Sequence, residues 1–125
     1  MSGRPAVVVV DNHPEIREVL SGVLEALSYK TYRADGCDQA LEHIRNTDVC
    51  AVVTDVEMEP KTGFDLLAAC RRDYAHIPVI MVSSYADSEM RKRAMLNGAS
   101  RFLAKPFSME EISDALEESI HLVTA

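Results

Sequence analysis

The 125-residue sequence predicts an α/β fold with a doubly wound parallel sheet, and three observations predict it. Short, unbroken, β-branched runs recur at Ala6–Val10, Cys50–Val53 and Val79–Val82, the pattern of strands covered by helices on both faces. Between these runs the apolar spacing changes to that of helices with one buried face. No repeat, low-complexity tract or Pro/Gly/Ser linker interrupts the alternation, so residues 1–125 read as one domain.

The elements follow in order. After the first strand, Pro14 suits the opening turn of a helix whose buried stripe is Ile16, Val19, Leu20, Val23, Leu24 and Leu27. A weaker strand at Lys30–Ala34 precedes a short helix carrying Ala40, Leu41 and Ile44. The strand at Cys50–Val53 is followed by helical spacing at Phe64, Leu67 and Cys70. Beyond Val79–Val82, Asp87 is placed to cap a helix starting near Ser88, and Asn97-Gly98 stops it. A second weak strand, Arg101–Ala104, leads to the capping box Ser108-Met109-Glu110-Glu111 and a last helix bearing Ile112, Leu116, Ile120 and Val123.

Bulk composition narrows the function. Net charge is −7 at pH 7, which disfavours direct binding to nucleic acid or to an anionic membrane. The apolar run Ala6–Val10 is too short for a signal peptide or a membrane span. Cys37, Cys50 and Cys70 are an odd, widely spaced set, as expected of reduced thiols in a cytoplasmic protein. Aromatic residues are only 6% and Trp is absent, so the core is aliphatic.

In a fold of this kind ligands bind beyond the carboxyl ends of the strands, where strand order reverses. The residues following the strand runs are Asp11 and Asn12, Asp55, Ser83 and Ser84, and Lys105-Pro106. Taken singly, each serves equally well as a turn former or helix cap. Jointly they bring carboxylates, an amide, a hydroxyl and an ammonium to one edge. That set suits phosphoryl transfer to a carboxylate: a cation and a lysine neutralise phosphate charge, and a hydroxyl donates to the phosphoryl oxygen.

The segments VVVVDNHPEIR, VVTDVEMEPKTGFDLL, PVIMVSSYAD and NGASRFLAKPF resemble, in order and across nearly the whole chain, the receiver domains of two-component response regulators. The resemblance implies a flavodoxin-like sheet of strand order 2-1-3-4-5 flanked by five helices. It implies that Asp55 accepts a phosphoryl group from a sensor histidine kinase, a phosphotransfer protein or a small phosphodonor. Mg2+ would be held by Asp11, Asn12, Asp55 and the backbone carbonyl of Glu57. Lys105 would pair with phosphate, and Ser83 and Phe102 would be the switch residues. Phosphorylation would draw Ser83 inward, turn Phe102 into the vacated space and alter the face formed by the fourth helix, fifth strand and fifth helix. That face would address a downstream protein or output domain, and phosphorylation-dependent homodimerisation is compatible with the family.

The chain also departs from the family pattern. Asn12 stands where relatives carry a second acid, so Mg2+ binding is expected to be weaker than in typical relatives. Pro60 falls one residue late, and Glu57 and Glu59 add carboxylates near the pocket. Glu57 sits where relatives vary and where a side chain can reach the water that attacks the phosphoryl group. Two rival functions follow. Asn12 suggests a phosphorylation-independent pseudo-receiver, which retention of Asp55, Ser83 and Lys105 opposes. Asp55-Val56-Glu57 is similar to the nucleophile motif of dehalogenase-like phosphatases, but this length leaves little for their substrate-enclosing cap.

The remaining polar residues have simpler readings. His13 is expected to be a solvated or capping residue at a helix start, and His43, His76 and His121 to form no ligand cluster. Met90 and Met95 read as gap fillers. Arg71-Arg72 and Arg91-Lys92-Arg93 read as solvated helix faces.

Overall fold

The computed structural model describes residues 3–124, and for 122–124 the backbone alone. Strands β1 (Ala6–Val10), β2 (Lys30–Ala34), β3 (Ala51–Asp55), β4 (Val79–Ser83) and β5 (Arg101–Ala104) form one parallel sheet in the order β2-β1-β3-β4-β5. Helices α1 (Pro14–Ala26), α2 (Cys37–Asn46), α3 (Gly63–Asp73), α4 (Ser88–Leu96) and α5 (Met109–Thr124) connect them.

Alternation along each strand divides the core in two. Val8, Val10, Val52 and Met81 face one side, where they pack with Ala40, Ile44, Leu66, Leu67, Cys70 and Ala94 from α2, α3 and α4. Val7, Val9, Val53, Ile80 and Val82 face the other, against Leu20 and Leu24 of α1 and Ile112, Ala115 and Leu116 of α5. Because β1, β3 and β4 are buried along their whole length, their sequences carry unbroken apolar runs instead of alternation.

Two boundaries move. β3 begins at Ala51 rather than Cys50 and extends to Asp55, and β4 extends to Ser83. The ladder continues through both ends, pairing Asp55 with Val82 and Ser83 with Ala104. Asp55 and Ser83 therefore each sit on the last residue of a strand, held by the sheet rather than by a loop. Cys50 stays beside the sheet, its amide and its thiol both donating to the Ala6 carbonyl at 2.9 and 3.1 Å. All three cysteines are free.

Helix starts are chemically specified. Pro14 is in the first turn of α1. The Asp87 carboxylate accepts from the Met90 amide at 2.8 Å, and Ser108 and Glu111 exchange capping bonds of 3.0 and 2.9 Å. A cap not anticipated from the sequence opens α3, where Thr62 and Asp65 form a reciprocal capping box. Thr62→Ala is expected to lower unfolding stability by about 1 kcal/mol, measured by urea denaturation, because it orphans amide donors of the first turn. Gly98, just past α4, has φ +97°, which favours glycine.

Some expected faces are corrected. Ile16 and Val19 belong to the apolar stripe of α1 but are 42% and 69% exposed. The first turns of α1 overhang the carboxyl ends of the strands, so the two side chains line an open groove with Phe107 and Met109 instead. Arg71 donates to the Ile77 carbonyl, and Arg91 lies over the Phe102 ring at 5.3 Å while donating to the Phe102 carbonyl at 3.1 Å. Arg93 lies over Phe64 at 3.9 Å. Arg91 and Arg93 are exposed, as expected of a solvated helix face, and their guanidinium groups also lie over the two rings, which a charge count along a helix does not reveal. The contacts of Val123 lie outside the described side chains. Among the described residues no helix is long and apolar enough to cross a membrane.

Candidate functional site

The carboxyl edge of the sheet gathers Asp11 from the turn after β1, Asp55 from β3, Ser83 from β4 and Lys105 from the turn after β5. Asp11, Asp55 and Ser83 are buried at 2%, 3% and 0% exposure. Lys105 is the bridge between the carboxylates, its Nζ lying 3.1 Å from Asp55 Oδ1 and 3.3 Å from Asp11 Oδ2. Two buried like charges at such range need a shared cation, and Lys105 supplies one.

The backbone fixes Asp55. Gly63, the first residue of α3, donates its amide to the Val56 carbonyl at 2.9 Å, drawing the helix start onto the end of β3. A Cβ at Gly63 would lie 2.5 Å from the Asp55 carbonyl oxygen and 2.9 Å from Val56 Cα, so the approach requires glycine. The hydroxyl of Thr54, buried within β3, donates to the Asp55 carbonyl at 2.9 Å.

Titration at the site follows from burial. Loss of solvent pushes the Asp55 carboxyl above its ordinary value; the bond and charge of Lys105 pull it down, while the Asp11 and Glu57 carboxylates add to the rise. Burial works against the charge on Lys105, but its contacts with Asp55 and Asp11 outweigh that and raise its pKa.

His13 is largely exposed at the start of α1, as expected, but it also contacts Asp11. It occupies the N-cap position of α1 without capping it by its side chain. Its amide donates to Asp11 Oδ1 at 2.9 Å, and its Nδ1 lies 3.1 Å from the same oxygen. Ligand atoms of Asp11, His13 and Asp55 lie within 4.8 Å of one another. The two carboxylates suit a hard divalent cation such as Mg2+, which takes oxygen ligands and retains waters. Asn12 is exposed and lines an adjoining cleft with Asp35, Glu59 and Lys61. Among the described residues no donor is bonded to the Glu57 carbonyl.

Ser83 and Phe102 also have a defined arrangement. The Ser83 hydroxyl donates to Glu57 Oε2 at 2.6 Å and accepts from the Tyr85 amide at 2.9 Å. Phe102, expected to turn inward on phosphorylation, is already buried at 2% exposure beneath Arg91. Neither the Glu57 bond nor the His13 contact has a signature in spacing, since both depend on how a side chain folds back across the strand ends.

Comparison with known proteins agrees with this geometry. The sequence model described as "Response regulator receiver domain" matches residues 7–117. Chemotaxis protein CheY of Pseudomonas aeruginosa is 30% identical over 115 residues, which is 90% of this chain and 93% of CheY. Heme response regulator HssR of Staphylococcus epidermidis is 30% identical over 105 residues, 84% of this chain but only 46% of HssR. The chain thus spans about half the length of HssR, and 23% of the response regulator protein FleR of Pseudomonas aeruginosa is matched at 30% identity over 86% of this chain. Among solved structures, a response regulator receiver protein from Pseudomonas putida superimposes with TM-score 0.86 at 28% identity, over 94% of this chain and 99% of that one. A receiver domain from Clostridium thermocellum shares the fold with TM-score 0.89 at 24% identity, over 94% and 95% of the two chains. With the family match spanning most of the sequence and the sheet order agreeing, this chain belongs to the response regulator receiver domain family.

Proposed function

We propose that the chain is a phosphorylation-switched receiver whose acceptor is Asp55. The observation carrying this reading is the buried Asp55 carboxylate at the end of β3, 3.1 Å from Lys105 and clustered with Asp11. A carboxylate oxygen of Asp55 attacks the phosphorus of a phosphohistidine on a sensor kinase or phosphotransfer protein, or of a small phosphodonor. The P–N or P–O bond to the leaving group breaks as the acyl phosphate forms. Lys105 turns from a carboxylate bridge to a partner of phosphoryl oxygens, stabilising charge that develops there. Asp11 and Asp55, with the Glu57 carbonyl and Asn12 beside them, would hold Mg2+, which neutralises phosphoryl charge when bound. Ser83 donates its hydroxyl proton to the new phosphoryl group, and the surface of α4, β5 and α5 carries the result to a downstream protein or output domain.

The negative net charge favours a protein partner over direct nucleic-acid contact, in a cytoplasmic setting. The chemistry is self-phosphorylation and self-dephosphorylation rather than turnover of a substrate. Intact mass after treatment with acetyl phosphate and Mg2+ tests the assignment. One phosphoryl group is expected on the wild type and none on Asp55→Asn. Addition to neither chain, with a histidine kinase donor failing as well, would favour the pseudo-receiver. Turnover of a generic phosphate ester, which is no phosphodonor for a receiver, beyond one equivalent per chain would favour the phosphohydrolase.

A further inference from the structure

Ser83 has one proton to donate. It is fully buried, and the proton is committed to Glu57 Oε2 at 2.6 Å, while the hydroxyl oxygen accepts from the Tyr85 amide at 2.9 Å. The bond is short and its acceptor is a carboxylate, the stronger class of hydrogen bond. Glu57 is two residues beyond Asp55, and its charge is near enough to add to the rise in the Asp55 pKa. A phosphoryl group on Asp55 is rich in acceptor oxygens and has no donor for Glu57. It therefore meets a hydroxyl whose proton is already held by a carboxylate.

We infer that Glu57 is a built-in competitor for the phosphoryl group: it holds the Ser83 proton in the resting chain and must release it before Ser83 can bind phosphate. The inference rests on the receiver reading of Asp55. Glu57 is a positioning residue here, acting on the phosphoryl group through Ser83. Two consequences follow. Ser83 is kept in a single orientation before phosphorylation, with its acceptor lone pair on Tyr85. The gain from a Ser83–phosphoryl bond is reduced by the bond to Glu57 that is lost. The buried Phe102 fits this picture, since the neighbourhood of Ser83 is already packed without phosphate. In the absence of Glu57 the hydroxyl would be uncommitted and the phosphorylated arrangement correspondingly favoured.

Two readouts on the full chain test the inference. The first is the Tyr85 amide resonance, which reports the Ser83 hydroxyl without any phosphoryl group. Glu57→Ala is expected to shift it clearly and Glu57→Gln, which keeps an acceptor, to shift it less. The second is affinity for beryllofluoride, an acyl-phosphate mimic, at saturating Mg2+. Glu57→Ala is expected to tighten it roughly tenfold, the scale of one hydrogen bond to a charged group. In a Ser83→Ala background that gain should fall below about threefold, because no proton remains to compete for.

Equal gains in both backgrounds would show that Glu57 acts by charge alone and would overturn the competition. An unmoved Tyr85 amide would overturn the bond itself. Both results leave the acceptor role of Asp55 standing if the wild type binds beryllofluoride. A Tyr85 amide that responds to Glu57 in a chain taking up neither beryllofluoride nor a phosphoryl group would instead overturn the receiver reading, and the competition with it.

Discussion

Gly63→Ala is expected to lower unfolding stability by about 3 kcal/mol and to slow phosphorylation of Asp55 sharply. The added methyl would sit 2.5 Å from the Asp55 carbonyl oxygen and 2.9 Å from Val56 Cα. Both are backbone atoms of the central strand and its continuation, so relief requires moving α3 or the end of β3. Either movement strains the Gly63 amide bond to the Val56 carbonyl and displaces Asp55 from Lys105. A shift of about 1 Å at the reacting group is enough to cost on the order of 100-fold in rate. The contrast is Gly22→Ala, on the exposed face of α1, where nothing lies within 4 Å of the new Cβ. There the methyl removes backbone freedom from the unfolded chain and should stabilise by roughly 0.5–1 kcal/mol. Urea midpoints moving in opposite directions are the expected result. An unchanged midpoint for Gly63→Ala would mean that α3 slides away freely, contrary to the tight packing at its start.

Lys105→Met is the second large effect. The substitution keeps the unbranched stem of the side chain and removes the cation between Asp11 and Asp55, both nearly fully buried. Two carboxylates are then left facing each other, at a cost of roughly 2–3 kcal/mol at neutral pH. The transfer rate from acetyl phosphate is expected to fall on the order of 100-fold, the scale of losing one charge-stabilising group at a reacting centre.

The pH dependence has a definite sign. In the wild type the Asp55 carboxyl is raised above the ordinary 3.8, so the folded chain keeps that proton to a higher pH than the unfolded chain. Between those two values the unfolded chain has released protons that the native chain retains, so the Asp55 contribution to stability falls as pH rises through this window. Without Lys105 the carboxyl rises further and the decline becomes larger and extends to higher pH. Lys105 itself has a raised pKa, so its stabilising contribution is present below the ordinary lysine value of 10.5 and is lost as pH climbs through the raised one. The alkaline loss should be smaller in Lys105→Met, and the acid-side slope steeper. Thermal melts across pH check both. Identical pH profiles for the two chains would mean that the ammonium does not couple to Asp55.

The layered sheet was legible because its central strands are covered on both sides, and that burial leaves long apolar runs at the sequence level. The strand ends were less so. Cys50 is apolar enough to extend the run before β3, while Thr54 and Asp55 look like loop residues although the ladder includes them. Thr54 is tolerated in the interior because its hydroxyl bonds the next carbonyl, a local solution that composition does not advertise. Periodicity located the inner stripe of α1 correctly at Leu20 and Leu24, but it carries no information on how far the sheet extends beneath Ile16 and Val19. The charged cluster of Asp11, Asp55 and Lys105 was readable from strand-end position alone. The contacts of His13 and Glu57 were not, since a one-residue choice of rotamer decides whether either side chain faces solvent or the cluster.

The bridge from Lys105 to Asp11 joins residues 94 positions apart, and its second arm reaches back 50 positions to Asp55. Contacts so distant along the chain close late, because loop-closure entropy opposes them until the intervening units have docked. A ribosome-bound chain lacking β5 carries its aspartates without their lysine. Competence to react is thus expected only of the finished topology. Measured during refolding, the ability to take a phosphoryl group should appear with the slowest sheet-forming phase and not before it.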